Sequence, residues 1–92
     1  MTNIENIELV LERMAELLYF AAFDGWANAL KKFRNEISVQ SDVTAAGILS
    51  MYGGMGSLND LILYKNGQLL AAENVELDAL RTRLYQLCHE IQ

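Results

Sequence analysis

The chain has 92 residues, of which 52% are hydrophobic, and its twelve acidic and seven basic side chains leave a formal net charge of −5. Surfaces that bind nucleic acid or an anionic membrane need clustered lysine and arginine, so this acidity argues against both as partners. The hydrophobic fraction is enough for one core, and we expect a single domain over residues 1–92.

Targeting and redox signals favour a cytoplasmic location. The chain has one cysteine, which rules out an intrachain disulfide. Three glutamates, Glu5, Glu8 and Glu12, occupy the region where a signal peptide would carry its apolar run. No apolar stretch approaches the ~20 residues of a membrane span. We therefore expect a cytoplasmic protein.

Apolar residues recur at intervals of three and four along the first part of the chain. They are Ile4, Ile7, Leu11, Met14, Leu18 and Ala21. This spacing predicts a helix over about 4–22 with one buried stripe, and Thr2 or Asn3 can cap its first turn.

Four glutamates, Glu5, Glu8, Glu12 and Glu16, form what we call the acidic ridge of this helix. At ~100° per residue they fall within about 80° on one flank. Like charges four residues apart cost an isolated helix a few tenths of a kcal/mol per pair. Solvation is the simplest account of the ridge, and a basic protein partner that offsets the repulsion is the alternative. We take the ridge and Asp60 as the candidate partner-binding residues.

Two further helices are predicted before a glycine-rich stretch. Asp24 is placed to cap a helix over about 25–38, and Ser41 is placed to cap another over about 42–53. The outward face of the second helix carries the chain's only basic cluster, Lys31, Lys32 and Arg34. We interpret this cluster as a solvated helix face.

Three glycines, Gly53, Gly54 and Gly56, separate the helical half from the C-terminal part of the chain. Glycine is used where φ is positive or where backbones pass closely, so we expect at least one of them to meet such a requirement. Gly53 fits the left-handed position that ends the third helix. Asn66-Gly67 lies between two short apolar runs, which is the strongest short-range signal for a β-hairpin, here over about 60–72.

The last predicted helix covers about 75–90, and Asn74 is placed to cap it. The fold class is therefore α+β and mainly α, with three N-terminal helices, a short β-hairpin and one C-terminal helix. A two-stranded sheet is unstable alone, so we expect the hairpin to pack on the helices.

The spacing and order of residues in the sequence argue against three kinds of catalytic or cofactor site. Cys88 and His89 are adjacent in a helix and point about 100° apart, so they do not form a nucleophile–base pair. The glycines come after a helix and precede a strand, whereas a phosphate-binding loop comes after a strand and precedes a helix. No histidine or cysteine has metal-ligand spacing. We expect no enzyme activity, no cofactor and no metal.

The run from Met51 to Leu63 reads Met-Tyr-Gly-Gly-Met-Gly-Ser-Leu-Asn-Asp-Leu-Ile-Leu, and residues 77–85 read Leu-Asp-Ala-Leu-Arg-Thr-Arg-Leu-Tyr. Together they resemble a family of small uncharacterised bacterial domains. That family carries a Tyr-Gly-Gly-Met-Gly-Ser-(Phe or Leu)-Asn-Asp core and a late Leu-Asp-x-Leu-Arg-x-x-Leu-Tyr helix. The resemblance covers roughly the C-terminal half and implies no activity or catalytic residue. By analogy, small acidic proteins of this kind also resemble immunity proteins, the antidotes encoded beside bacterial toxins.

These observations support two hypotheses for function. The first is a cytoplasmic protein-binding domain, in its narrower form an immunity protein that neutralises a cognate toxin by binding a basic toxin domain directly. The second is a self-associating structural or regulatory domain, such as a homodimer, without catalytic activity. Binding steered by charge weakens steeply with salt, whereas apolar self-association does not, so salt dependence separates the two.

Overall fold

The computed structural model describes residues 2–53 and 55–91. Within these residues, four helices surround one core, and the expected α+β, mainly α, architecture is confirmed. In chain order the elements are α1 (Asn3–Phe20), α2 (Asp24–Glu36), α3 (Ser41–Leu49), a 3₁₀ turn (Leu58–Asp60), β1 (Tyr64–Lys65), β2 (Gln68–Leu69) and α4 (Ala71–Ile91). In this described part of the chain, no helix combines the length and the apolar content that a membrane crossing requires.

Helix α1 is the centre of the packing, and it contacts both α2 and α4 extensively. The apolar stripe predicted for α1 is buried, with Ile7, Leu11, Met14 and Leu18 fully inaccessible to solvent. Burial of a side chain of this size stabilises the fold by about 1.5–3 kcal/mol. Helix α1 therefore contributes a large share of the core, which explains why its periodicity is so regular.

Both ends of α1 are closed by local hydrogen bonds. At the start, the Thr2 hydroxyl accepts from the Glu5 amide at 3.1 Å, and the Glu5 carboxylate accepts from the Thr2 amide at 3.3 Å. This reciprocal pair is a capping box. At the other end, Ala22 has a φ of 65°, and the Phe23 amide donates to the Leu18 carbonyl at 2.8 Å. The left-handed Ala22 ends α1 two residues before the predicted boundary.

Helices α2 and α3 begin close to the predicted positions, but neither is capped as expected. Asp24 and Ser41 are the first residues of the two helices, and no side-chain hydrogen bond caps either. Helix α3 ends at Leu49, so the prediction that Gly53 terminates it is wrong. The chain leaves the helix earlier because the amides of Met51 and Tyr52 bond to carbonyls only three residues back, at 3.0 and 3.1 Å.

The β-hairpin is present but short. Strands β1 and β2 pair antiparallel, with Tyr64 opposite Leu69 and Lys65 opposite Gln68. Its turn is Asn66-Gly67, whose φ angles of 54° and 78° are those of a left-handed two-residue turn. The predicted span of 60–72 is too long, because the 3₁₀ turn precedes the strands and α4 starts directly after them.

Helix α4 begins at Ala71, so the prediction that Asn74 caps it is wrong. Asn74 lies in the first turn, and its side chain reaches back to the backbone before the hairpin. Its Oδ1 accepts from the Leu63 amide at 2.7 Å, and its Nδ2 donates to the carbonyls of Leu63 at 3.0 Å and Leu70 at 2.8 Å. The side-chain amide thus imitates a neighbouring strand and fixes the hairpin on α4.

Two glycines of the glycine-rich stretch have left-handed backbones, and substitution at either is expected to destabilise the protein. Gly53 has a φ of 88° and Gly56 a φ of 77°, while Gly54 lies outside the described residues. A Cβ at either position would meet no atom within 4 Å, so the expected cost comes from the left-handed backbone conformation. We expect Gly53→Val and Gly56→Val each to lower the free energy of unfolding by about 1–2 kcal/mol, measured by urea denaturation. Gly25→Val is the control, because Gly25 has an ordinary helical backbone and open space around it. Parental stability in both test variants would contradict the expectation.

Candidate functional site

The acidic ridge lies on an exposed flank of α1, but most of its carboxylates have partners within the chain. Glu12 pairs with Arg34 of α2 at 2.8 Å, and Glu16 pairs with Arg13 at 3.4 Å. Glu5 belongs to the capping box. Within residues 2–53 and 55–91, Glu8 alone of the four has neither an ion pair nor a side-chain hydrogen bond. The ridge is therefore less available to a basic partner than its sequence indicates.

The basic cluster of α2 lies on an exposed face, as expected for Lys31 and Lys32, and its Arg34 end lies beside the ridge. Glu12, Glu16, Lys31 and Arg34 line a common hollow of about 380 Å³ between α1 and α2. The Lys31 ammonium also lies 4.8 Å from the centre of the Tyr19 ring. The two clusters form one surface of mixed charge because α1 and α2 pack side by side, which periodicity within either helix does not reveal.

Asp60 has a local partner near the glycine-rich stretch. Its Oδ2 accepts from the Gly56 amide at 2.6 Å, which closes the loop between the glycines and the 3₁₀ turn. Asp60 comes from a different part of the chain than the acidic ridge. The structure therefore gives this predicted partner-binding residue a role in the turn itself.

A buried arginine holds that 3₁₀ turn against α4. Arg81 Nη1 donates to the carbonyls of Leu58 at 3.0 Å, Asn59 at 3.3 Å and Leu61 at 3.1 Å. Its Nη2 donates to Asp78 Oδ1 at 3.1 Å. A guanidinium can serve several carbonyls at once because its donors project in a fixed plane. Sequence reasoning missed this role, although Asp78 and Arg81 stand three residues apart on one helix, the spacing of an ion pair.

Next to Arg81, three rings lie in contact between α4 and the end of α3. The Tyr52 hydroxyl donates to the Arg81 carbonyl at 2.7 Å, and burial raises the pKa of Tyr52 well above its ordinary value. The Tyr85 ring centre lies 5.1 Å from that of Tyr52 and 4.4 Å from that of His89, in edge-on arrangements. These contacts fix Tyr85 on the surface although 44% of it is exposed.

A continuous exposed face runs along α4. It consists of Val75, Asp78, Thr82, Tyr85 and His89, which recur at intervals of three and four and fall within about 80° around the helix. Two hollows of about 540 Å³ each adjoin this face, and Asp78 and Arg81 line both of them. We call the face and its two hollows the α4 groove.

The two ends of the α4 groove differ in chemistry. One end meets the hairpin, where four apolar side chains are more than half exposed: Ile62, Tyr64, Leu69 and Val75. The other end contains the rings of Tyr52 and Tyr85 with the polar side chains of Asn59 and Thr82. Grouped exposed apolar side chains mark interaction surfaces, and clefts of a few hundred Å³ are of the size that takes side chains or small ligands.

Cys88 and His89 differ in accessibility. The Cys88 thiol is fully buried, and burial raises its pKa to about 11, which keeps it protonated at neutral pH. His89 is exposed beside Tyr85. Among the residues that the structure describes, no group of three or more His, Cys, Asp or Glu side chains is arranged to hold a metal ion.

These features define a small, mainly helical domain with an exposed groove beside a hairpin. Residues 21–71, more than half of the chain, match a domain of unknown function, DUF6966. The chain therefore belongs to the DUF6966 family. The matched segment contains α2, α3, the glycine-rich stretch and the hairpin. No curated protein and no solved structure matches the chain significantly.

Proposed function

We propose that this chain is a protein-binding domain without catalytic activity and that the α4 groove is its binding surface. The observation that carries the proposal is the group of exposed apolar side chains at the hairpin end of the groove, Ile62, Tyr64, Leu69 and Val75. Leaving such a group in water is unfavourable, and covering it with a partner recovers the free energy of its hydration.

The α4 groove is favoured over the acidic ridge because of what each surface already contacts. Glu12 has an ion pair with Arg34, and Glu16 shares Arg13 with Glu76, so two of the four carboxylates of the ridge are partly neutralised within the chain. The apolar side chains at the groove are not subject to such neutralisation. The net charge of −5 then contributes mainly by raising the rate at which a basic partner associates, through electrostatic steering.

The narrower proposal is an immunity protein that acts in the cytoplasm and neutralises a cognate bacterial toxin by covering it. Its support is the small acidic domain and the analogy drawn from its sequence. Self-association is the second candidate function, and the exposed apolar side chains of the hairpin favour it. A second copy of the chain can cover the same groove, so measurements of mass in solution separate the two.

The test is capture of the product of the adjacent gene by the tagged chain, followed by measurement of Kd. We expect the double variant Ile62→Ser/Val75→Ser to weaken binding at least tenfold, because it removes exposed apolar contacts. The matched control is Val39→Ser/Val43→Ser, which makes a comparable loss of apolar surface at positions exposed elsewhere, on and beside α3. This control is expected to bind within twofold of the parent.

Three results would contradict these proposals in different ways. If Glu8→Lys weakens capture and the groove double variant does not, the acidic ridge is the interface and the assignment to the groove is wrong. If light scattering shows a dimer that the groove variant dissociates, self-association replaces the heteromeric proposal. If neither capture nor dimerisation is found, the protein-binding proposal itself is rejected.

A further inference from the structure

The accessible charge of the α4 groove is negative, although the residues that line its two hollows include both acid and base. The Asp78 side chain is 77% exposed, whereas that of Arg81 is 11% exposed. The Arg81 guanidinium is also occupied by three backbone carbonyls and by Asp78 Oδ1. His89 is the remaining titratable base in the lining, and it lies at the far end of the face. A ligand group that enters the middle of the groove therefore meets the exposed Asp78 carboxylate, of which Oδ1 is bonded to Arg81 and Oδ2 is the oxygen left to a ligand.

An aromatic ring lies on the same face of α4 beyond this carboxylate. Tyr85 is seven residues after Asp78, about 10 Å along the helix axis, and Thr82 lies between them. Helical side chains lean toward the N-terminus, which is the direction of Asp78 from Tyr85. Tyr52 and His89 each contact this ring in an edge-on arrangement. The spacing fits a long side chain with an apolar stem and a cationic head.

We propose that the α4 groove receives an arginine side chain of the partner protein, with its stem across the Tyr85 ring and its guanidinium on Asp78. This inference rests on the proposed protein-binding function and names the chemistry of the partner. Arginine fits better than lysine because its planar guanidinium can stack on an aromatic ring while it donates to Asp78 Oδ2, and Arg81 already occupies Oδ1. In a partner segment lying along α4, the residues next to this arginine in the direction of Val75 are apolar, because they meet the hairpin end of the groove.

The probe for this inference is N-acetyl-arginine amide, titrated into the isotope-labelled protein and followed by NMR shifts of the backbone amides. We expect saturable shifts centred on residues 78–85, with a Kd in the millimolar range because a single side chain is bound. N-acetyl-lysine amide is expected to bind at least threefold more weakly. N-acetyl-citrulline amide, which keeps the shape and loses the charge, is expected to give no saturable shifts.

Two variants test the two contacts separately. Asp78→Asn keeps an oxygen for Arg81 and removes the carboxylate charge, and we expect at least fivefold weaker binding of the arginine probe. Tyr85→Leu keeps the apolar bulk and removes the ring, and we expect its affinity for the arginine probe to fall at least threefold. Glu8→Gln, which removes one acidic charge on α1, is the control for net charge and is expected to leave binding within 1.5-fold.

Equal binding of the arginine and citrulline probes, or binding that neither groove variant changes, would overturn the arginine assignment. That failure is distinct from failure of the proposed function. The capture assay with Ile62→Ser/Val75→Ser tests the apolar end of the groove and does not depend on Asp78 or Tyr85. The protein-binding proposal can therefore be supported by the capture assay even if the arginine assignment is rejected by the titration.

Discussion

Arg81→Met is expected to lower the free energy of unfolding by about 3 kcal/mol, the largest effect that we predict for a single substitution at the groove. The variant leaves the carbonyls of Leu58, Asn59 and Leu61 without their shared donor while keeping much of the apolar stem. For a domain of this size the corresponding fall in melting temperature is on the order of 15 °C, measurable by circular dichroism.

Arg83→Met is the matched control for Arg81→Met. Arg83 is on the same helix and exposed, so the same change there should alter the free energy of unfolding by no more than about 0.5 kcal/mol. The free energy of unfolding of Arg81→Lys is expected to lie between those of the parent and of Arg81→Met, because one ammonium cannot reproduce the planar array of donors of a guanidinium. If Arg81→Met and Arg83→Met have the same melting temperature, Arg81 does not hold the 3₁₀ turn.

Asn74→Ala is expected to lower the free energy of unfolding by about 2 kcal/mol. Its side chain accepts from the Leu63 amide and adds a second donor to the carbonyls of Leu63 and Leu70, which also accept from the Leu70 and Asn74 amides. The Leu63 amide loses its partner in the variant, and a partly buried backbone group left unpaired costs about 1–3 kcal/mol when water cannot replace the bond. We expect the hairpin to loosen first, seen as faster amide hydrogen exchange at residues 63–69 than in α1.

Asn35→Ala is the control for Asn74→Ala, because Asn35 is exposed on α2 and should change stability by no more than about 0.5 kcal/mol.

Asn74→Asp is a second test of the same contacts. The carboxylate keeps an acceptor for the Leu63 amide but faces two carbonyls without a donor, so we expect a larger loss at pH 7 than for alanine. Protonation restores a donor, and because the neighbouring carbonyls raise the pKa of the new carboxyl, part of the loss should be recovered as the pH falls from 7 toward about 4. Equal stability of Asn74→Ala and Asn35→Ala would contradict this account of the hairpin.

The number and order of the α-helices and the hairpin could be predicted from the sequence, because each depends on residues that are neighbours in the chain. The apolar stripe from Ile7 to Leu18 predicts α1, and its capping box closes within three residues. The Asn66-Gly67 turn likewise carries its own backbone preference. These signals need no tertiary contact, since helical periodicity and left-handed turns are local properties.

Element boundaries were less accurate where distant contacts compete with local preference. Asn74 is a good N-cap by its chemistry, yet its amide bonds to Leu63, eleven residues earlier, and α4 begins at Ala71. Gly53 has the predicted left-handed backbone, yet α3 has already ended at Leu49. For Asn74 and Gly53 alike, the chemical or conformational tendency of the residue was recognised, but its position relative to the end of its helix was predicted wrongly.

The sequence by itself determined which helix faces are apolar, where the hairpin turns and that the chain is acidic. Only the tertiary structure decided which charges meet: Arg34 reaches Glu12 from another helix, and Arg81 binds carbonyls at least twenty residues earlier. It also decided that the exposed face from Val75 to His89 borders open hollows. The physical reason is that periodicity assigns a residue to a side of its own helix, while its partners depend on how separate elements pack.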